Sequence, residues 1–280
     1  MKKKILFSVL FISTISFAHE FWLAPASYIG KAGQVFNIRF KVGENFTGIN
    51  WKGNNKKVQQ LAQYEPDGTI NDLSSLIQKN GDSLQTTLYK TGTHLFIFQS
   101  TNSFIELDAK KFNEYLKEDG IENTIDYRKK NKEWNLPAKE YYQRSVKTLV
   151  NVLGDSNQEA SKNPAITNPT TLPLDIIPTI NPYQLNSKTV NPTIQFTILF
   201  KGQPVSNALV NHWQKTTNGK TIRIVKHSNA KGQVAFLQAA GETMISCVHM
   251  VKHTADTTAN WQSYWGSLTY YFPKGNNKKQ

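Results

Sequence analysis

Two stretches of the sequence gather side chains that can hold a metal ion. One is His19 in "SFAHEFWLAP", residues 16–25, where a histidine and a glutamate directly follow an apolar run. The other is "CVHMVKHTAD", which places Cys247, His249, His253 and Asp256 in one run. Imidazole, thiolate and carboxylate are all competent ligands for Ni, Co, Cu or Zn. On a strand Cys247 and His249 point the same way, because side chains alternate between faces. His253 and Asp256 fall just beyond, in a predicted loop. The spacing matches no standard metal motif, and a cysteine in "MISCV" also reads as a small buried apolar residue.

The first stretch depends on where the chain is cut. Met1-Lys2-Lys3-Lys4 is followed by the short apolar run "ILFSVLFISTISF" and then Ala18. A basic start, an apolar core and a small-x-small ending with Ser16 and Ala18 form the pattern of a secretory signal peptide. The run is shorter than the roughly 20 residues that span a bilayer. Cleavage after Ala18 is therefore expected, with the mature chain exported to a periplasm. His19 would then carry a free α-amine beside its imidazole. An α-amine has a pKa of about 7.7–8.0, so a metal can displace its proton near neutral pH.

The other histidines have plainer readings. His94 in "THLFIF" is in phase with Phe96 and Phe98, which suits a packed residue. His212 beside Trp213 alternates with Val210, so core packing is the first reading, and a supporting ligand role for His212 or Cys247 stays open. His227 sits near a turn. The motifs G-x-S-x-G, H-E-x-x-H, the P-loop and the Rossmann glycine fingerprint do not occur, so a non-catalytic protein is expected. Trp261, Tyr264 and Trp265 could stack on a sugar, although clustered aromatics in a β-rich chain usually form core.

These residues must be positioned by elements that the pattern predicts. "VFNIRFKV" and "TIQFTILF" alternate strictly and read as half-buried strands, as does "HLFIFQS" after the Thr91-Gly92 turn. "EPDGTI" is a turn by composition. The period changes over 108–153. In "DAKKFNEYLKEDGI" the positions Phe112, Tyr115, Leu116 and Asp119 recur at helical spacing, with Asp108 as N-cap and Gly120 as stop. "PAKEYYQRSVKTLVNVLG" also reads as a helix, with Tyr142, Val146, Leu149 and Val150 on one face. Residues 154–185 are rich in Asn, Pro and Thr and read as a linker or extended wrap. The expected organisation is a signal at 1–18, a β domain at 19–107, a helical insertion at 108–153, the linker, a β-sandwich at 186–273 and a basic tail at 274–280. The fold class is mainly β, with two Ig-like or transthyretin-like sandwiches and a helical insertion between them.

Composition narrows the partners. The formal net charge is +13; losing the three signal lysines lowers it to +10. Scattered lysine is a solvated surface, and no nucleic-acid motif is present. The single cysteine excludes an internal disulfide.

Several pieces, taken in order, resemble a known family: "AHEFWLAPASY", "GQVFNIRFKVGENFTG", "IELDAKKFNEYLKEDGI", "KEYYQRSVKTLV", "LPLDIIPTINPYQL", "LFKGQPVSNALV" and "VHM" with "WQSYWGSLTYYF". The chain is similar to an uncharacterised periplasmic family classed with nickel and cobalt uptake components. The resemblance implies two β domains, the second like the carboxypeptidase-regulatory or transthyretin-like sandwich. The matching positions are His19, Phe21, Trp22 and His249. Two positions depart from the family's pattern: Asn260 stands where an acid precedes the last Trp motif, and Ser228-Asn229 stands for Thr-Asp. The resemblance implies His19 as an amine-plus-imidazole clamp and His249 as its distal ligand, with His253 and Asp256 near by. The expected function is capture of a divalent transition metal for uptake, with a membrane metal transporter as partner. The alternative is an adhesion or glycan-binding envelope module in which the histidines are incidental.

Overall fold

The computed structural model describes residues 20–154, 163–185, 192–216 and 218–273. The signal, His19 and the tail at 274–280 lie outside the described residues. The chain begins with β1 (Glu20–Pro25), β2 (Ile29–Lys31), β3 (Gln34–Glu44) and β4 (Thr47–Asn50). Then come β5 (Val58–Tyr64), β6 (Ile70–Asp72), β7 (Ser83–Leu88), β8 (Gly92–Ser100) and β9 (Ser103–Leu107). Helices α1 (Ala109–Glu118) and α2 (Glu122–Lys130) precede the long strand β10 (Ala138–Leu153). The short α3 (Pro164–Thr167) leads to β11 (Leu174–Pro178), β12 (Thr193–Phe200), β13 (Gln203–Pro204) and β14 (Leu209–Thr216). The last strands are β15 (Thr221–His227), β16 (Gln233–Leu237), β17 (Gly241–Lys252) and β18 (Trp261–Phe272).

One sheet organises the molecule. It runs β15-β14-β17-β18-β10-β8-β5-β6, with β2 and β9 also on β10. Its seam is the parallel pairing of β10 with β18, from Glu140↔Trp261 to Thr148↔Thr269. That pairing joins strands from both halves of the chain into one surface. A second sheet, β1-β3-β4 with β7, covers one face, and a third, β11-β12-β13 with β16, covers the other. Phe21, Phe36, Ile38 and Phe40 of the second sheet pack on Phe96, Phe98, Val146 and Val150. Ile176, Ile194, Phe196 and Phe236 of the third pack on Leu95, Ile97, Val210 and Ile245. Helices α1 and α2 sit on the first of these faces, over Val248, Met250 and Trp261. The result is two β-sandwiches that share a middle layer, with few helices.

The predicted helix over 137–154 is instead strand β10. Its Tyr142, Val146 and Val150 spacing fits a helix, but Val146 and Val150 serve one layer while Leu149 serves the other. A strand buried on both faces loses its alternation, and periodicity alone cannot tell it from a buried helix. The β-branched and aromatic content of "YYQRSVKTLVNV" favours the pleat. Within the expected linker, Leu174–Pro178 is a wholly buried strand paired antiparallel to β12. Lys147 of β10 reaches across to it and pairs with Asp175, their side chains 2 % and 3 % exposed. The backbone N–H and hydroxyl of Thr170 donate to the other Asp175 oxygen, Oδ2, at 2.6 and 2.9 Å.

Candidate functional site

The sequence around Glu20 folds as its side chains require. Phe21 stacks on Phe98, with ring centroids 5.1 Å apart, and Trp22 packs edge-on against Phe46 at 5.6 Å. Ser267 and Thr269 of β18 donate hydroxyl bonds of 2.7 Å to the carbonyls of Phe21 and Leu23. These bonds lay β1 across the central sheet and bring Glu20 beside Val248 and Trp265. Glu44 and Asn45 come from the β3–β4 turn, where Glu44 pairs with Thr47. Asn45 and Phe46 both have left-handed backbone, φ 53° and 56°, as a type I′ hairpin demands. Asparagine tolerates that conformation; phenylalanine rarely does. Burial of the Phe46 ring against Trp22, Trp213 and Met244 offsets the strain.

Helix α1 delivers the opposite wall. Asp108 caps it by accepting from the Lys111 N–H at 2.9 Å. It ends at Gly120, whose φ of +63° is left-handed and whose added Cβ would lie 2.5 Å from Leu209 atoms. Only glycine fits there. Asp119 is thereby held at the negative end of the helix, where a carboxylate is disfavoured. In the predicted apolar stripe of α1, Asp119 was the one polar member.

Together with Trp213 and Arg223, the residues Glu20, Glu44, Glu118 and Asp119 line a cleft of about 400 Å³. Arg223 lies across the strand pair from Trp213, its guanidinium 4.9 Å from the ring centroid. Its Nε and Nη2 donate to Asn211 Oδ1 at 3.0 and 2.8 Å. A water-sized inner chamber of about 10 Å³ shares Glu20 and Asp119 and continues inward to Asn211, Ser246 and Trp265.

The electrostatics of this wall are unfavourable to its own charges. Burial raises Glu20 to about 7, against a smaller opposing pull from Arg223. Asp119 is raised well above the carboxylate range by burial, with added repulsion from Glu20 and Glu118. Glu140, under α1, is raised to about 7 by burial, although Ser263 and the Tyr115 hydroxyl, at 3.1 Å, donate to it. Asp119 Oδ2 and Glu140 Oε2 are buried with no hydrogen-bond partner among the described residues. The unmet Asp119 oxygen, in a desolvated acid pocket, is what a cation or a donor-rich ligand would satisfy. Glu20, Asp119, Glu140 and Arg223 were not singled out from the sequence; the off-pattern acid in α1 was the one available signal.

Of the expected ligands among the described residues, only His253 and Asp256 come together. His249 stacks on Phe200 with centroids 4.6 Å apart, facing the third sheet, and burial lowers it to about 4. Glu20 lies on the opposite face of the central sheet. Cys247 is 3 % exposed in the core, its thiol pushed up to about 12. His212 is fully buried and stacked on Phe236 at 5.0 Å, burial lowers it to about 4, and neither ring nitrogen has a partner among the described residues. His253 Nε2 lies 3.2 Å from Asp256 Oδ2, beyond the end of β17, with its ring against Tyr141. Among the described residues, no group of three or more His, Cys, Asp or Glu is arranged to hold a metal ion. His19 itself lies outside them.

Other expected positions have structural roles. His94 Nε2 donates to the Lys90 carbonyl at 2.7 Å, and its Nδ1 accepts from Gln63 at 2.8 Å, so it is a satisfied core residue. Asn260 Oδ1 accepts from the Lys139 N–H at 3.1 Å, fastening the start of β10, and Ser228 bridges Ala208 and Val205. Trp261 and Tyr264 are buried, and Trp265 stacks on Tyr115 at 5.8 Å. These rings form core rather than a sugar platform.

A family described as "Domain of unknown function (DUF4198)" matches residues 16–251, and the chain belongs to it. No curated protein matches the chain. Among solved structures, it is similar to the tetra-tandem repeat in the extending region of a large adhesion protein, at 9 % identity and TM-score 0.22, over 90 % of this chain and 49 % of that one. It is also similar to the dimeric latent PorU from Porphyromonas gingivalis, at 12 % identity and TM-score 0.19, over 88 % of this chain and 20 % of that one. The D0-D1 domain of Intimin matches at 9 % identity and TM-score 0.19, over 89 % of this chain and 97 % of that one. The chain thus spans about half of the first structure and a fifth of the second.

Proposed function

We propose that the protein binds a divalent transition-metal cation in an exported compartment, without turnover, at the acid-lined cleft where β1 begins. The observation that carries this reading is Asp119, a half-buried residue whose Oδ2 is buried and unmet among the described residues, held at a helix C-terminus beside Glu20. His19 immediately precedes Glu20, and cleavage after Ala18 would make it an amine-and-imidazole donor. The cleft's carboxylates are not a complete ligand set by themselves, so nitrogen donors from His19 are required. Nitrogen with carboxylate oxygen suits Ni, Co, Cu or Zn. Asp119 and Glu20 replace His249 as the partners of His19 in this reading. The resemblance of the sequence motifs to nickel and cobalt uptake components is the ground for proposing delivery to a membrane metal transporter.

The test begins with the exported protein, measured by intact mass under native conditions. The expected result is a chain of His19–Gln280 carrying one metal ion. Asp119→Asn should lower metal affinity at least about tenfold, the loss of one charged ligand interaction, while His249→Ala leaves it unchanged. The correct cut with no metal, after Ni, Co, Cu and Zn have each been offered, would abandon this reading for the envelope-module alternative.

A further inference from the structure

Arg223 stands beside Glu20, Glu118 and Asp119, yet among the described residues none of these three forms an ion pair with it. Its Nε and Nη2 are committed to Asn211 Oδ1, and Trp213 supports its plane. A guanidinium present only to neutralise Glu20 or Asp119 would pair with one of them, since the bidentate fork fits a carboxylate well. It is instead held off, as a separate positive corner of an acidic cleft. The cleft's volume of about 400 Å³ falls in the range of small-molecule pockets, roughly 300–1,000 Å³, and is far more than a bare ion fills.

We infer that the cleft takes a small amino-carboxylate, free or as its metal chelate, with the carboxylate on Arg223 and the amine side toward Glu20 and Asp119. This deepens the reading above and rests on its choice of site. A bare cation would be repelled by Arg223, and a doubly charged anion by the four acids. A zwitterion or a neutral chelate satisfies both corners at once. The unmet, buried Asp119 Oδ2 is the acceptor for the amine side or for the chelated metal.

Calorimetric titration of the His19–Gln280 protein with L-histidine, with Ni(II), and with their equimolar mixture tests this. The mixture should bind at least tenfold more tightly than Ni(II) alone. Arg223→Gln should abolish that gain, while the affinity for Ni(II) alone holds or rises as the repelling charge is removed. Arg223 is exposed on an edge strand, so the variant should fold, and Arg223→Lys should recover only part of the gain. Binding of L-histidine without Ni(II), lost in Arg223→Gln, supports the free amino acid as the ligand; it overturns the metal reading if Ni(II) alone does not bind. The inference falls if L-histidine strips Ni(II) from the protein, or if Arg223→Gln changes nothing.

Discussion

Two aspartates, one behind each face of the central sheet, show how the same side chain serves opposite ends. Asp175 lies between β10 and β11, paired with Lys147 and accepting twice from Thr170. Each of its oxygens has a donor, so its charge fastens two layers. Asp119 lies above the other face, among Glu20, Glu118 and Glu140, with one oxygen unmet. Its charge fastens nothing within the described residues. The same contrast separates the histidines and Cys247 from the cleft. His212, Cys247 and His249 carry metal-binding chemistry, but apolar rings close over them. A site is marked by unmet polar atoms beside open space, not by residue type.

The sharpest break of this comparison is Asp175→Ala. It strands the Lys147 ammonium in the core and should cost about 3–5 kcal/mol in denaturant unfolding. A loss under about 1 kcal/mol would mean that the pair does not fasten the layers. Asp119→Asn should act in the other direction. It removes a desolvated like charge and should stabilise the metal-free protein by about 0.5–2 kcal/mol, the usual gain when functional strain is relieved. Destabilisation would place Asp119 with Asp175 as a structural residue.

The pH dependence sharpens the contrast further. His212 and His249 are lowered to about 4 in the folded state. The unfolded chain binds those protons more tightly, so their contribution is complete above about 6.5 and is lost as pH falls toward 4. Glu20 and Glu140 are raised to about 7. Their contribution is complete below the unfolded carboxylate pKa of about 4.3 and is lost as pH rises to 7. The two slopes oppose each other between about pH 4.5 and 6.5. His212→Leu should leave stability falling more steeply with rising pH across that window, and Glu140→Gln should do the reverse. Identical pH profiles for the two variants would erase the distinction between the faces. The smallest effect concerns Cys247: with its thiol buried and raised to about 12, iodoacetamide should label it only after unfolding. Rapid labelling of the folded protein would open the core face to solvent.

Much of the fold was legible. Phe36, Ile38 and Phe40 alternate as a half-buried strand must, and they pack inward on β3. Asp108 and Gly120 bound α1 as capping chemistry predicts. Strand β10 was misread because Val146, Leu149 and Val150 are apolar on both faces, which removes the period that separates strand from helix. Strand β11 was hidden among prolines, and its pairing with β12 comes from tertiary contact.

The candidate site divides in the same way. The sequence by itself determined the apolar "FWL" that seats β1, the N-cap and glycine stop of α1, and the tryptophan beside His212, because each rests on contacts within one element or its neighbour. Only the tertiary structure decided that Glu20, Glu44, Asp119 and Arg223 meet. They come from four separate elements, and their carboxylates are brought together against their own repulsion by the burial of Phe21, Trp22, Phe46 and Leu116. Local spacing carries no trace of that balance, since the apolar energy that holds the cleft is supplied by residues outside it.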